Sequence, residues 1–458
     1  MDAQTRYRHA AARDRADAAM WNTNEGLART ALRRLQDRAL RRQLGRLAQD
    51  SPFYQDKFAG IDLGAIRGIG DLPRLPFTVK TELRESLHAA PPFGRHLGVP
   101  IAAVVQMQAS SGTTGSPSYV ALTESDVSAW AEMTARTLFA CGIRPGDLVL
   151  HAFSMAKGFV GGVPMFQALQ YMGAIDIPVG ADGGVDRLLR ACADLRPRAI
   201  IGTPNFLLHL AEQAPAIVGQ PAHALGVRRL VVGGEPGGGI PAIRAQLERA
   251  WGARCCELLG GTDLGVAYWA ECDHQSGMHM VCEDHIITEL LDPDTGTVIA
   301  FETGATGELV YTAIGREASA LVRFRSGDHV EVLGTDCPCG RSGPRIRCVG
   351  RTDDMLIVRG VNVFPSAIQS VIADMVPQTN GVMRVLRDFD GHATQAPLKV
   401  IVERGPDADP ADDPALKARI ERHLRDALVF RADVRLTDPD TFDKPGVAKV
   451  ALSIRNFP

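Results

Sequence analysis

No apolar run in the 458 residues reaches the roughly 20 needed to cross a bilayer, so a membrane-spanning helix is not expected. The first twenty residues carry Arg, Asp and Ala without the apolar core of a signal peptide, and they are too poor in Ser for a transit peptide. The expected compartment is the cytoplasm, with no membrane partner. Charge of one sign is also missing: 50 Lys and Arg stand against 53 Asp and Glu, a formal net charge of −3. Although the first fifty residues are Arg-rich, the arginines alternate with acids and form no basic stripe, which argues against a nucleic-acid partner. There is no internal repeat and no low-complexity tract. The nine cysteines are an odd number in a long chain, which excludes a secreted disulfide framework. The phosphate-binding signature G-x-x-x-x-G-K-[ST] is absent, so P-loop kinases and GTPases do not fit.

What is present is the material of a large two-part protein. At 458 residues with 45% apolar composition, the chain can bury more than one core. Leu and Ala at helical spacing over residues 24–48 predict an amphipathic helix within a helical lead-in of residues 1–50. Thr78, with Thr81 and Glu82 following, marks a helix start. From residue 101, short apolar runs (IAAVVQM, LVLHAF, AIDIPV, RAIIGTP, RRLVVGGE, ARCCELLGG) alternate with helical stretches. This predicts α/β layers with largely parallel strands. Strand–turn–strand patterns over residues 284–333 add an antiparallel β portion, closing a large N-terminal domain of residues 1–350. Residues 354–458 read as a small α+β C-terminal domain.

The Gly- and hydroxyl-rich run SSGTTGSP after the first apolar run can wrap a polyphosphate. Glycine lets the backbone approach closely, and N–H and hydroxyl groups donate to phosphate oxygens. GGTDLG at 260–265 places Thr262 and Asp263 where the chain turns, and a carboxylate there can hold Mg2+. A plain strand turn with a solvated Asp is the rival reading. Cys272, His279, Cys337 and Cys339 make a donor set suited to tetrahedral structural Zn2+, with His274, Cys282 and His285 as competing ligands and ordinary reduced cysteines as the alternative.

SSGTTGSP resembles the phosphate loop of the acyl-adenylate-forming (ANL) superfamily. GRTDDMLIVRGVNVFPSAI at 350–368 resembles the hinge segment of its phenylacetate–CoA ligase branch. SPFYQDKF, LPFTVKTELRE, GGEPGG, AECDHQSGMHMVCEDH and LVRFRSGD resemble the same branch and occur in its order, over about residues 50–455. The resemblance implies a large adenylate-forming domain and a mobile small domain, rotating near residues 351–354 about Asp353. It implies ATP, Mg2+ and coenzyme A as cosubstrates and cofactors, and a small aryl carboxylic acid as substrate. A homodimer is one assembly it allows.

Residue by residue, it implies that Ser110, Ser111, Gly112, Thr113, Thr114 and Gly115 cradle phosphates. Gly234, Glu235 and Pro236 would lie beside the adenine, with Gly261 nearby. Asp328 would take the ribose hydroxyls, as a carboxylate accepting from a cis-diol, and Arg351 would reach the nucleotide. The family pattern Tyr-Gly-x-Ser/Thr-Glu is here altered at Leu259 and Asp263. Phe153, Met155, Ala156, Lys157, Phe159 and Leu259 are the expected acyl-pocket residues. The family's terminal catalytic lysine falls in DKPGVAKVALSIRN, where an ungapped reading puts Val447 or Ala448 in its place. Lys449 is the nearest lysine and Lys444 the next. Similar Cys/His stretches in this branch look like structural zinc sites. An adenylate-forming enzyme that does not use CoA, and a catalytically silent nucleotide- or acyl-binding homologue, are the alternative functions.

Overall fold

The structure, a computed structural model, describes residues 18–109, 118–156, 158–293, 295–442 and 451–457, without the side chain of Asp353. The expected positions Ser110 to Gly115, Lys157, Lys444, Lys449 and the Asp353 side chain therefore lie outside the described residues.

Apolar runs that are buried along their whole length need neighbours on both faces, and parallel strands covered by helices supply them. Ala199–Gly202 is buried at every position and runs parallel to Leu148–His151 on one side and Arg229–Val232 on the other. Ile175–Ile177 extends this group at the edge, and Arg254–Gly261 joins its other side in parallel. Helices Val163–Met172, Val185–Leu195, Pro204–Val218 and Pro241–Trp251 make the crossovers. Arg254–Gly261 is a seam: its other edge pairs antiparallel with Gly265–Glu271. The sheet then continues antiparallel through Met278–Met280, Arg345–Arg351, Phe324–Gly334, Thr306–Ala313, Ile286–Leu291 and Val298–Ile299, twelve strands in all. Helix Glu124–Ala140 covers the seam side. It starts on a reciprocal cap in which Thr123 Oγ1 accepts from Asp126 N at 3.2 Å and Asp126 Oδ2 accepts from Thr123 N at 3.1 Å.

After Arg351 a separate core forms. Strands Ala432–Thr437, Leu398–Arg404, Thr379–Leu386 and Ser453–Ile454 make one sheet, and Leu356–Val358 with Val361–Val363 and Ala393–Thr394 make another. Helices Pro365–Ala373 and Asp413–Leu428 bury Ile368, Ile372, Ile420 and Leu424 against Val400 and Val402.

Three local expectations are revised. The lead-in helix runs Arg29–Asp50, later than the spacing suggested, after a short 3-10 turn at Thr23–Gly26. Thr78 caps nothing: its hydroxyl donates to the Val322 carbonyl at 2.8 Å, and helix Lys80–Ala89 is closed by Glu82 accepting from Val79 N at 2.9 Å. The strand expected at IAAVVQM spans Gln106–Ala109, overlapping only the last two residues of that run, and pairs antiparallel with Tyr119–Leu122, apart from the twelve-stranded sheet. Ile101, Val105 and Met107 are exposed.

Candidate active site

In open α/β sheets, ligands lie beyond the carboxyl ends of the parallel strands. His151, Thr203, Gly233 and Gly261 all stand at such ends. The loop from Gly233 begins with Gly234 at φ +85°, a left-handed backbone that suits glycine. Glu235 Oε1 accepts from Asn205 N at 3.2 Å, tying this loop to the start of helix Pro204–Val218. Beneath it, Glu257 is buried, and a Cβ on Gly239 would stand 2.5 Å from its Oε2. Burial, then the neighbouring Glu271 carboxylate, pushes the Glu257 carboxyl up to about 7. Arg244 grips both oxygens of Glu271 at 2.7 Å.

The seam strand ends in the Gly-Gly-Thr-Asp turn, closed by Leu264 N donating to Gly261 O at 2.9 Å. Only glycine fits at 260, where a Cβ would stand 1.9 Å from the Val266 carbonyl oxygen. Arg316, a buried guanidinium lying over the Trp130 ring, donates to the Asp263 carbonyl at 2.8 Å and fixes the turn. The Asp263 carboxylate itself makes no hydrogen bond among the described residues, and Asp263 lines a small recess with Ser118, Tyr119 and His96.

Asp328 and Arg351 are direct cross-strand partners, and the Arg351 Nη1 donates to the Asp328 carboxylate while Nη2 donates to Ser326 O at 3.0 Å. Between this pair and the Asp263 turn lies Tyr268, edge-on to Tyr311 at 5.3 Å, whose hydroxyl accepts from Trp269 Nε1 at 2.9 Å. Burial, and after it the charges of Asp328 and Asp263, push the Tyr268 hydroxyl far above the usual phenol range. Next to Arg351, His329 Nε2 and Thr352 Oγ1 are 2.8 Å apart, and the His329 ring meets Phe364 of the second core at 5.2 Å.

Of the expected acyl-pocket residues, Phe153 is buried and meets the half-buried Phe159 at 6.2 Å between ring centroids. The half-buried Leu259 packs on the same apolar cluster. The amides of Met155 and Ala156 donate to Asp182 at 2.8 and 3.2 Å, which holds that end of the loop. Ala156 is exposed.

Cys272, His279, Cys337 and Cys339 bring one donor atom each to within 4.8 Å of one another. Zn–S and Zn–N bonds of about 2.3 and 2.0 Å at tetrahedral angles imply S···S edges of about 3.8 Å and S···N edges of about 3.5 Å. Cys272 and Cys337 sulfurs are 3.8 Å apart, and Cys339 Sγ is 3.5 Å from His279 Nε2. The donor set and its spacing fit that ion. The competing ligands are engaged elsewhere or turned out: Cys282 donates to Met133 O at 3.6 Å, His285 lies beside Arg136 at 3.5 Å, and His274 is exposed.

Comparison with known proteins decides the family. Residues 79–315 match the AMP-binding enzyme profile, and residues 360–450 match the AMP-binding enzyme C-terminal domain. A phenylacetate–coenzyme A ligase of Thermus thermophilus is 35% identical over 436 residues, covering 91% of this chain and 94% of its own. One from Aromatoleum evansii is 30% identical over 438 residues, covering 93% and 95%. This chain belongs to the AMP-binding enzyme family. Within that family it is similar to crystal structures of 2-hydroxyisobutyryl-CoA ligase, 27% identical in the postadenylation state and 28% in the thioesterification state. In the postadenylation state the TM-score is 0.88, over 96% of this chain and 93% of that one. In the thioesterification state, over the same shares, the TM-score falls to 0.70. The chain as a whole is thus more similar to the former structure than to the latter. No helix among the described residues is long and apolar enough to cross a membrane.

Three residues beside the expected site positions escaped the sequence reading. Tyr268, Glu257 and Arg316 carry no motif, and each acquires its place only when the seam strand pairs with Gly265–Glu271 or when distant loops pack together. A buried position for Glu257, flanked by apolar residues in ARCCELLGG, was the one available signal.

Proposed function

We propose that this AMP-binding enzyme activates a small aryl carboxylic acid as its acyl-adenylate and passes the acyl group to coenzyme A. The carboxylate oxygen attacks the α-phosphorus of ATP and pyrophosphate leaves. The CoA sulfur then attacks the acyl carbon and AMP leaves. No side-chain nucleophile is required, so the enzyme's task is to position the groups and to stabilise charge growing on phosphoryl oxygens. The observation that carries the reading is similarity along nearly the whole length of a phenylacetate–coenzyme A ligase, spanning both the nucleotide-binding body and the second core.

Asp328 takes the ribose hydroxyls, while Arg351 holds its carboxylate and reaches the nucleotide. Gly234, Glu235, Pro236 and Gly261 face the adenine, and residues 110–115 take the phosphates. Asp263, with Thr262, would hold Mg2+, which neutralises phosphate charge when bound. The Asp263 carboxylate, without a hydrogen bond among the described residues and in one recess with Ser118, supports that role. Lys449, with Lys444 as the alternative, supplies the cation at the α-phosphate. Phe153, Met155, Ala156, Lys157, Phe159 and Leu259 form the acyl wall, and Asp353 is the hinge. Cys272, His279, Cys337 and Cys339 hold a structural Zn2+, supported by the tetrahedral edge lengths.

The test is to supply ATP, Mg2+ and a panel of aryl acids with and without CoA, and to follow AMP and thioester. Acid-dependent AMP that becomes catalytic with CoA and matches thioester formation is the expected result. AMP and pyrophosphate without thioester would establish an adenylating enzyme that does not use CoA. Nucleotide binding without turnover of any acid would establish a silent homologue.

A further inference from the structure

His151 closes the last turn of strand Leu148–His151 and is fully buried, at 0% exposure. Its Nε2 is 2.7 Å from the Gly161 carbonyl oxygen, and its Nδ1 is 3.3 Å from Asp176 Oδ1. A carbonyl only accepts, so Nε2 must carry a proton. The second contact also needs a proton between Nδ1 and the carboxylate, whichever atom holds it. The Asp176 side chain is 1% exposed, and among the described residues its other oxygen has no protein partner. One shared proton therefore makes the pair neutral as a whole and gives each ring nitrogen a hydrogen bond, which is what a buried imidazole and carboxylate require.

Gly161 joins this pair to the expected acyl wall. A Cβ built on it would stand 2.4 Å from the Phe159 ring and 3.2 Å from that of Phe153. The His151 ring itself meets Phe153 edge-on at 6.4 Å. The peptide that His151 holds thus packs against both aromatic rings. The opposite end of the same loop is tied separately, by Asp182 to Ser154 Oγ and the amides of Met155 and Ala156. Asp176 lies beside Val149 in the parallel register of the sheet, so a rigid element carries the anchor.

We propose that His151, sharing a proton with Asp176, is a positioning residue that fixes the Gly161 carbonyl and with it the Phe153–Phe159 wall against which the acyl group is selected. This rests on the acyl-pocket reading above. Asp176→Asn keeps both hydrogen bonds, since an amide N–H can donate to Nδ1 of a neutral imidazole whose Nε2–H remains on Gly161. Asp176→Leu removes the Nδ1 bond and with it the partner that orients the ring, and His151→Leu removes both.

The experiment measures KM for the best aryl acid and for ATP in these three variants and the unsubstituted enzyme. It also measures hydrogen exchange of the peptide spanning residues 152–163 and the melting temperature. The Leu variants should raise the acid KM about tenfold, the equivalent of one lost buried hydrogen bond, while the ATP KM stays within about twofold. Exchange of the 152–163 amides should quicken in them, and the Asn variant should behave as the unsubstituted enzyme in both readouts. An unchanged acid KM and unchanged exchange in Asp176→Leu would overturn the proposal. So would an Asn variant as damaged as the Leu variant, or an ATP KM that rises in parallel. If His151→Leu does not fold, the two Asp176 variants decide. An unsubstituted enzyme that turns over no acid defeats the ligase reading alone, because the exchange comparison needs no turnover.

Discussion

Replacing Asp328 by Asn changes the charge of one side chain at nearly constant shape, and it separates a nucleotide-binding role from a structural one. Asp328 is 8% exposed, and Arg351 holds its carboxylate from the adjacent strand. The Arg351 side chain is 36% exposed, so solvent screens the pair and its contribution to stability is at most about 1 kcal/mol. The proposed ribose contact is different. Hydrogen bonds to an ionised group contribute about 1.5–3 kcal/mol and neutral ones about 0.5–1.5. An amide also offers one acceptor oxygen where the carboxylate offers two. The substitution should weaken ATP binding by about 1–3 kcal/mol, roughly 5- to 150-fold in Kd. Calorimetric titration with a non-hydrolysable ATP analogue reads the affinity, and thermal unfolding without ligand reads the stability. An unchanged nucleotide Kd accompanied by a loss of several kcal/mol in stability would refute the reasoning and make Asp328 a structural partner of Arg351.

Other outcomes follow from the same site. Lys449→Ala should slow acid-dependent ATP–pyrophosphate exchange by about 100-fold or more, the cost of losing one donor to the transition state, with Lys444→Ala near normal; the reverse pattern would move the role to Lys444. His96, buried beside Arg316 and 2.8 Å from Ser86 Oγ, has its pKa lowered from 6.5 to about 4, by burial first and then by Arg316. The unfolded chain then binds the proton more readily, so this group's contribution is full above about pH 6.5 and falls by about 3 kcal/mol as pH drops through about 4. Denaturant unfolding at pH 7 and pH 4.5 should show a smaller acid loss in His96→Gln; an equal loss in both proteins contradicts the assignment. Cys339→Ser should lower zinc content, measured by mass spectrometry, from about one ion per chain toward none and reduce the melting temperature. Full zinc content in that variant would exclude Cys339 as a ligand.

How much of this was legible beforehand depended on whether a feature was local. The parallel strands announced themselves as short apolar runs such as RAIIGTP, whose Ala199–Gly202 is buried at every position, and the ladder from Leu148 to Gly261 contains them. The four zinc-type donors could be chosen by chemistry, although Cys272 and Cys339 are far apart in sequence and only the pairing of Arg345–Arg351 with Met278–Met280 brings that region together. The strand near IAAVVQM was displaced to Gln106–Ala109 because a short apolar run does not say where pairing begins. Thr78 looked like a cap by residue type, but a buried carbonyl at Val322 competed for its hydroxyl and won. Tyr268 and the His151–Asp176 pair depend on register between strands and Arg316 on the packing of distant loops, which no single stretch of sequence encodes.

The central claim, that a carboxylate oxygen becomes bonded to the α-phosphorus, is tested most directly with an aryl acid labelled with 18O in both carboxyl oxygens. After turnover with ATP, Mg2+ and CoA, mass spectrometry of the nucleotide should find one 18O in AMP, with the other retained in the thioester. Label appearing in inorganic phosphate together with ADP, or AMP free of label while thioester accumulates, would contradict the account.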